Sequence, residues 1–141
     1  VTAGLERFLT AQDGTWPRAV AEVQAGRKRS HWMWFIWPQL RGLGLSDMAQ
    51  RYGLSGRDEA AAYLADPVLG PRLVQISRVM LAHRGKPAAE VLGPVDALKL
   101  RSSMTLFAAV AKGEPVFDTV LRTFFDGQPC EKTIALLRAS G

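Results

Sequence analysis

The residues with the most chemical potential lie between Gly26 and Leu45. The run reads Gly-Arg-Lys-Arg-Ser-His-Trp-Met-Trp-Phe-Ile-Trp-Pro-Gln-Leu-Arg-Gly-Leu-Gly-Leu. Arg27, Lys28 and Arg29 form a tight basic triplet, and Trp32, Trp34 and Trp37 follow at once. Ser30, His31 and Gln39 interleave polar groups with those indoles. Cations fix an anion, hydroxyl and amide groups orient it, and an indole face stacks on a planar ring. Histidine is the side chain whose ordinary range lies near neutrality, which makes His31 the reasonable proton-transfer candidate. A second polar cluster, Asp96, Lys99, Arg101, Ser102, Ser103 and Thr105, is set among Leu98, Leu100, Met104, Leu106 and Phe107. Serine hydroxyls compete for backbone bonds inside a helix. Ser102 and Ser103 therefore fit there by permitting close packing, or by lining a cavity and donating to an anion.

If residues 27–39 and 96–105 approach each other, they enclose a positively biased small-molecule site. In that reading Lys28 and Lys99 attract a phosphorylated or otherwise anionic ligand, with Arg101 as a flanking cation. Ser30 and Ser103 orient the anion, Trp32 stacks on its organic part, and Gln39 reads a polar edge. His31 and Lys99 are the catalytic candidates, one to move a proton and one to stabilise negative charge. A plainer reading stands beside it. At least two of Trp32, Trp34 and Trp37 are core, Ser30 is a helix cap, His31 is a satisfied boundary histidine, and Asp96–Lys99 is an ordinary i,i+3 pair. A rival function is an interaction or scaffold module. Val68–Met80 and Pro115–Phe125 would then leave a face for another helix or a second subunit, with Trp32 or Trp37 as an exposed anchor.

No glycine-rich phosphate loop, dinucleotide fingerprint, zinc-protease motif or nucleophile elbow is present, so no cofactor is named. His31 and His83 lack the carboxylate and cysteine spacing of a metal site, and the lone Cys130 excludes an internal disulfide. The net charge is +5, from 18 basic and 13 acidic residues. That balance suits solubility or an anionic partner; a nucleic-acid protein would carry a denser basic face or a known motif, so nucleic acid ranks below both main readings. No apolar stretch approaches the roughly 18 residues of a membrane span. Val1-Thr2-Ala3-Gly4 begins no secretory signal, and a cytoplasmic setting is the default expectation.

The elements that must position these groups are helical. The chain has 141 residues, 48% of them hydrophobic and 22% charged, enough for one core without staples. Leu5, Phe8 and Leu9 open a first helix, started by Thr2 or Gly4, and Pro17 begins a second that Gly26 ends. Ser30 would cap a short helix over His31–Ile36 that stops near Trp37, because Pro38 clashes with the carbonyl four residues back. Ser46, Ser55 and Asp96 are further candidate caps. Leu73, Ile76, Val79 and Met80 mark one stripe, and Val116, Phe117, Val120, Leu121 and Phe124 another. Ile134 and Leu137 mark the last helix. Alternation of strand length is scarce and no repeat is visible. The expectation is an all-α fold, one irregular multihelical domain over residues 1–141 with seven to nine helices, its core including Trp34, Phe107, Phe117, Val120 and Phe124.

The Gly26–Leu45 string resembles the signature of a bacterial family, domain of unknown function 1810. The likeness extends to Leu5-Glu6-Arg7-Phe8 and Ala11-Gln12-Asp13, to Glu59-Ala60, Tyr63-Leu64, Leu69-Gly70 and Arg72-Leu73, and to Asp96–Lys99, Ser102–Phe107, Phe117 and Phe124-Phe125. The resemblance implies a helical domain. Trp37 and Ser103 depart from it, standing where the family has phenylalanine and often cysteine, so no cysteine nucleophile is available at the latter position. Some members carry the label calpastatin, a disordered protease inhibitor, which this apolar inventory does not support.

Overall fold

A computed structural model describes residues 4–139 and arranges them as ten α-helices, one more than the sequence predicts, with no strand among them. Thr2, one of the two proposed starts, lies outside the described residues. The helices are α1 (Glu6–Gln12), α2 (Trp16–Gln24), α3 (Met33–Ile36), α4 (Asp47–Tyr52) and α5 (Arg57–Ala65). They continue as α6 (Leu69–Leu81), α7 (Ala88–Leu92), α8 (Pro94–Val110), α9 (Val116–Phe125) and α10 (Glu131–Ala139). None of them is long and apolar enough to cross a membrane.

The architecture is centred on α8. Its middle is buried throughout: Leu100, Met104, Leu106 and Phe107 are fully buried, and Ser102, Ser103 and Thr105 are buried with them. A stretch buried all round must be covered on all sides, and α5, α7, α9 and α10 pack around this helix. Amphipathic α9 lays Phe117 and Val120 onto it, with the Phe107 and Phe117 rings 5.8 Å apart. Phe107, Phe117 and Val120 thus join the core as expected, whereas Trp34 and Phe124 pack against its edge and stay half-buried.

Some caps follow the sequence and others do not. Ser46 caps α4 by accepting from the Ala49 amide at 3.1 Å. Ser30 caps nothing: α3 begins later, after Trp32, and the Ser30 hydroxyl is used elsewhere. Asp96 is not the cap of α8 but lies inside its first turn, since Pro94 at the first helical position and Gly93 before it start the helix. Gly56 precedes α5 in place of Ser55, whose amide donates to Glu59.

Two long-range ties hold the periphery. Arg7 on α1 donates to the carbonyls of Arg51 and Gly53 and pairs with Glu59 on α5 at 3.1 Å. A single parallel bridge joins Leu40 to Leu54, through Arg41 N to Leu54 O at 2.8 Å and Leu54 N to Gln39 O at 2.9 Å. That bridge fixes the chain leaving α3. The α5–α6 corner is closer still, because a Cβ at Gly70 would lie 2.0 Å from the Leu64 carbonyl oxygen. Backbone cannot yield as a side chain can. Gly70→Ala should therefore lower stability in urea denaturation by about 3 kcal/mol, the upper part of the overpacking range, while Gly56→Ala, in open space on extended backbone, should stay well below that.

Candidate functional site

Glu22, near the end of α2, organises the run that follows it. Its Oε1 accepts from the Arg29 amide at 2.8 Å, the Ser30 amide at 2.9 Å and Trp32 Nε1 at 2.9 Å. Its Oε2 accepts from Ser30 Oγ at 2.6 Å. Partial burial pushes this carboxyl up, but the donors from Ser30, Arg29 and Trp32 together outweigh it and hold the group at about 2, from an ordinary 4.5. The run is thereby folded back onto α2, and Trp32 enters the core, tilted against Trp37 with the rings 6.0 Å apart. Trp37 is equally buried, its indole donating to Ser77 Oγ at 3.0 Å. Neither tryptophan is an exposed anchor.

Asp96 joins the run to α8. One carboxylate oxygen meets Lys28 Nζ at 2.9 Å and the other Lys99 Nζ at 3.5 Å. Each lysine also lies against an indole, Lys28 over Trp32 at 5.0 Å and Lys99 over Trp34 at 4.5 Å. Lys28 donates in addition to the Ser30 carbonyl at 2.6 Å, and its side chain is only 8% exposed. Lys28 is therefore a buried strut. Lys99, more open, faces the space beyond Trp34.

That space is a cavity of about 620 Å³ between the 39–46 loop, α8 and the start of α10. Trp34, Gln39, Lys99 and Arg101 line it, with Leu43 and Leu98 among the apolar walls. Arg101 is steered by a bond from Nε to the Gln128 carbonyl at 2.8 Å and by the Phe125 ring. Ser102 and Cys130 close the inner end. The Ser102 hydroxyl is paired with that of Thr133 at 2.8 Å, and the Cys130 amide donates to Thr105 Oγ1 at 2.8 Å. Cys130 precedes α10, so its sulfur meets the opening of that helix. Burial pushes the thiol up, but the Thr133 hydroxyl and amide, the Ser102 hydroxyl and the Lys132 amide draw it below its ordinary value.

The two predicted segments do approach, and the structure divides their residues into two sets. Lys99, Gln39 and Arg101 share the cavity. Lys28, Ser30 and Trp32 lie behind it, in the Glu22–Asp96 framework. Ser103 is fully buried, and its Oγ is the one buried side-chain oxygen or nitrogen among the described residues without a hydrogen-bond partner. Its neighbour Ser102 reaches the cavity instead. His31 is exposed and lines none of this space. Sequence reasoning assigned no role to Glu22 and did not connect Cys130 with the site. Nothing local marks Glu22, whereas Cys130 stands just before the Ile134–Leu137 stripe, where an acceptor meets free helix amides. Among the described residues no group of three His, Cys, Asp or Glu is placed to hold a metal.

A larger groove, about 1050 Å³, runs between α5, α6 and the end of α8. Its walls are mainly alanine, leucine and valine, and its Arg78 and Glu114 are paired with each other at 3.5 Å. Gln75 and Lys112 line it as well, but no aromatic ring does, in contrast to the cavity at Trp34.

The chain belongs to the family described as "Protein of unknown function (DUF1810)", whose model matches residues 2–137. It is similar to the conserved hypothetical protein Rv1873 from Mycobacterium tuberculosis, known from a crystal structure, with 46% sequence identity, a TM-score of 0.93, and coverage of 95% of this chain and 96% of that one. A comparison with curated proteins gives no match.

Two outcomes follow from these ionisations. Because the folded Glu22 carboxyl titrates near 2 and the unfolded one near 4.5, the unfolded chain binds more protons between those values. Its contribution is complete above pH 4.5 and lost as pH falls through 2. Glu22→Gln should cost about 1–3 kcal/mol at pH 7 in urea denaturation, and the gap to wild type should narrow as pH falls through that window. For Cys130, the pH midpoint of iodoacetamide alkylation should lie below that of an unstructured cysteine peptide. Thr133→Val should raise it, since it removes one of the donors that favour the thiolate.

Proposed function

We propose that this DUF1810 domain binds a small anionic organic molecule in the cavity beside Trp34. The observation that carries the reading is the convergence of Lys99, Arg101 and Gln39 on one side of that indole. Lys99 is held by Asp96 and the Trp34 face, and Arg101 by the Gln128 carbonyl, so both cations are oriented before a ligand arrives. Preorganised charge beside an apolar wall is what recognition of an organic anion requires. The roles first given to Trp32 and Ser103 pass in this reading to Trp34 and Ser102, which line the space. The activity is binding; His31, outside the cavity, has no part in it. A cytoplasmic, reducing setting fits the proposal, since it would keep Cys130 a free thiol.

An interaction module is the second reading, favoured by the apolar groove between α5 and α6. A second copy of the chain seated there would raise the mass in light scattering as concentration increases; a monomer throughout removes that version.

The binding reading is tested by native mass spectrometry of protein purified without added ligand, together with thermal shift across phosphates, nucleotides, sugar acids and carboxylates. A retained mass, or a shift with at least one anion, is expected. Either should be lost in Lys99→Ala/Arg101→Ala. Ligand-free protein that no anion stabilises would refute it.

A further inference from the structure

We infer that the ligand of this cavity is an apolar monocarboxylate, an aryl or medium-chain acid, and not a phosphate ester or nucleotide. The inference rests on the proposed binding function and narrows its ligand class.

The rim carries the first argument. Four large hydrophobic side chains are exposed among the described residues, and three of them, Leu45 at 87%, Val95 at 66% and Leu98 at 62%, belong to this one cavity. Isolated exposed apolar residues are ordinary, but three around one cationic hollow form a patch that a ligand with an apolar body would cover. They come from two separate elements, the loop before α4 and the first turns of α8, so neither helix periodicity nor a single loop accounts for their gathering.

The donors carry the second argument. A phosphate presents three oxygens and is commonly met by hydroxyls and by free amides at a helix N-terminus. Here the Lys132 and Thr133 amides at the start of α10 act on the Cys130 sulfur. The Ser102 hydroxyl is committed to Thr133, and Arg101 Nε to the Gln128 carbonyl. The side-chain donors that remain are the Lys99 ammonium, the terminal nitrogens of Arg101, the Gln39 amide and the exposed Lys132, which stands next to the Glu131 carboxylate in the same lining. Lys99 is itself half-satisfied by Asp96. That set suits the two oxygens of a carboxylate, with the rest of the ligand lying along Trp34 and Leu98.

Cys130 supplies the reporter, because it lines the cavity and is the only cysteine in the sequence. The rate at which N-ethylmaleimide modifies Cys130 is measured by intact-mass spectrometry with naphthalene-2-carboxylate, decanoate, inorganic phosphate or AMP present. Either carboxylate should slow modification at least tenfold at saturation, while phosphate and AMP leave it unchanged. Lys99→Ala should weaken the protecting carboxylate about tenfold or more, the effect of losing one contact to a charged donor. Leu98→Asp, at an exposed position, should abolish protection while leaving the circular dichroism spectrum unaltered. Protection by AMP or phosphate but by neither carboxylate overturns the inference and leaves the proposed binding function standing. Protection by a carboxylate that survives both substitutions overturns it by placing the binding elsewhere. Protection by none of the four overturns it as well, and only the thermal-shift survey then decides whether an anion binds at all.

Discussion

The carboxylate of Glu22 turns the chain back on itself, and the arrangement of the cavity depends on that turn. Four donors from Arg29, Ser30 and Trp32 converge on it. A group that accepts so many bonds is stabilised as an anion and so stays charged well below neutrality. Once residues 29–32 are fixed, Trp32 has to enter the core, and Lys28 is delivered to Asp96 on the opposite helix. The next turn of chain then presents Trp34 outward against Lys99. The indole tied to this acidic residue, Trp32, is the buried one, and Trp34 is left to line the cavity.

The Asp96 bridge extends this logic. Two lysines share one carboxylate, and each lies on a tryptophan face. They differ in burial, with side chains 8% and 23% exposed. Lys28 repays its desolvation only through fixed partners, so it serves the fold. Lys99 keeps free hydrogens at the edge of an apolar cavity, where a cation has most to gain from an arriving anion. Residues that look alike in the sequence are separated by a few ångströms of packing into supports and contacts.

That separation explains what the sequence could disclose. Helical spacing reveals α6 and α9, and Leu98, Leu100, Met104 and Phe107 mark α8 as a helix, because these signals depend on neighbours three and four positions apart. The central place of α8 does not show in a segment that also carries Lys99, Arg101 and two serines. The approach of residues 27–39 and 96–105 was legible from polar groups placed where burial would otherwise be costly. Which residue of each pair faces the cavity was not. Trp32 and Trp34 differ only by the Glu22 bond, formed across ten positions of irregular chain. Ser102 and Ser103 are separated by one residue's rotation in a stretch, 102–107, whose residues are all buried. Where every position is buried, no amphipathic pattern remains to assign direction, and the hydroxyl of Ser103 ends without a partner.

The central position of α8 also has a consequence in time. It lies about two-thirds of the way along the sequence, yet α5, α7, α9 and α10 all rest on it. During synthesis α5 and α7 leave the ribosome with the helix they rest on still missing. Lys28 waits 68 residues for Asp96, and Arg7 is joined to Glu59 long before that. The early helices can form local pairs, but the apolar surfaces meant for α8 stay uncovered until its last turn emerges. Completion of this domain accordingly waits for α8, and the interval before it emerges is when the uncovered helices most need a chaperone's cover.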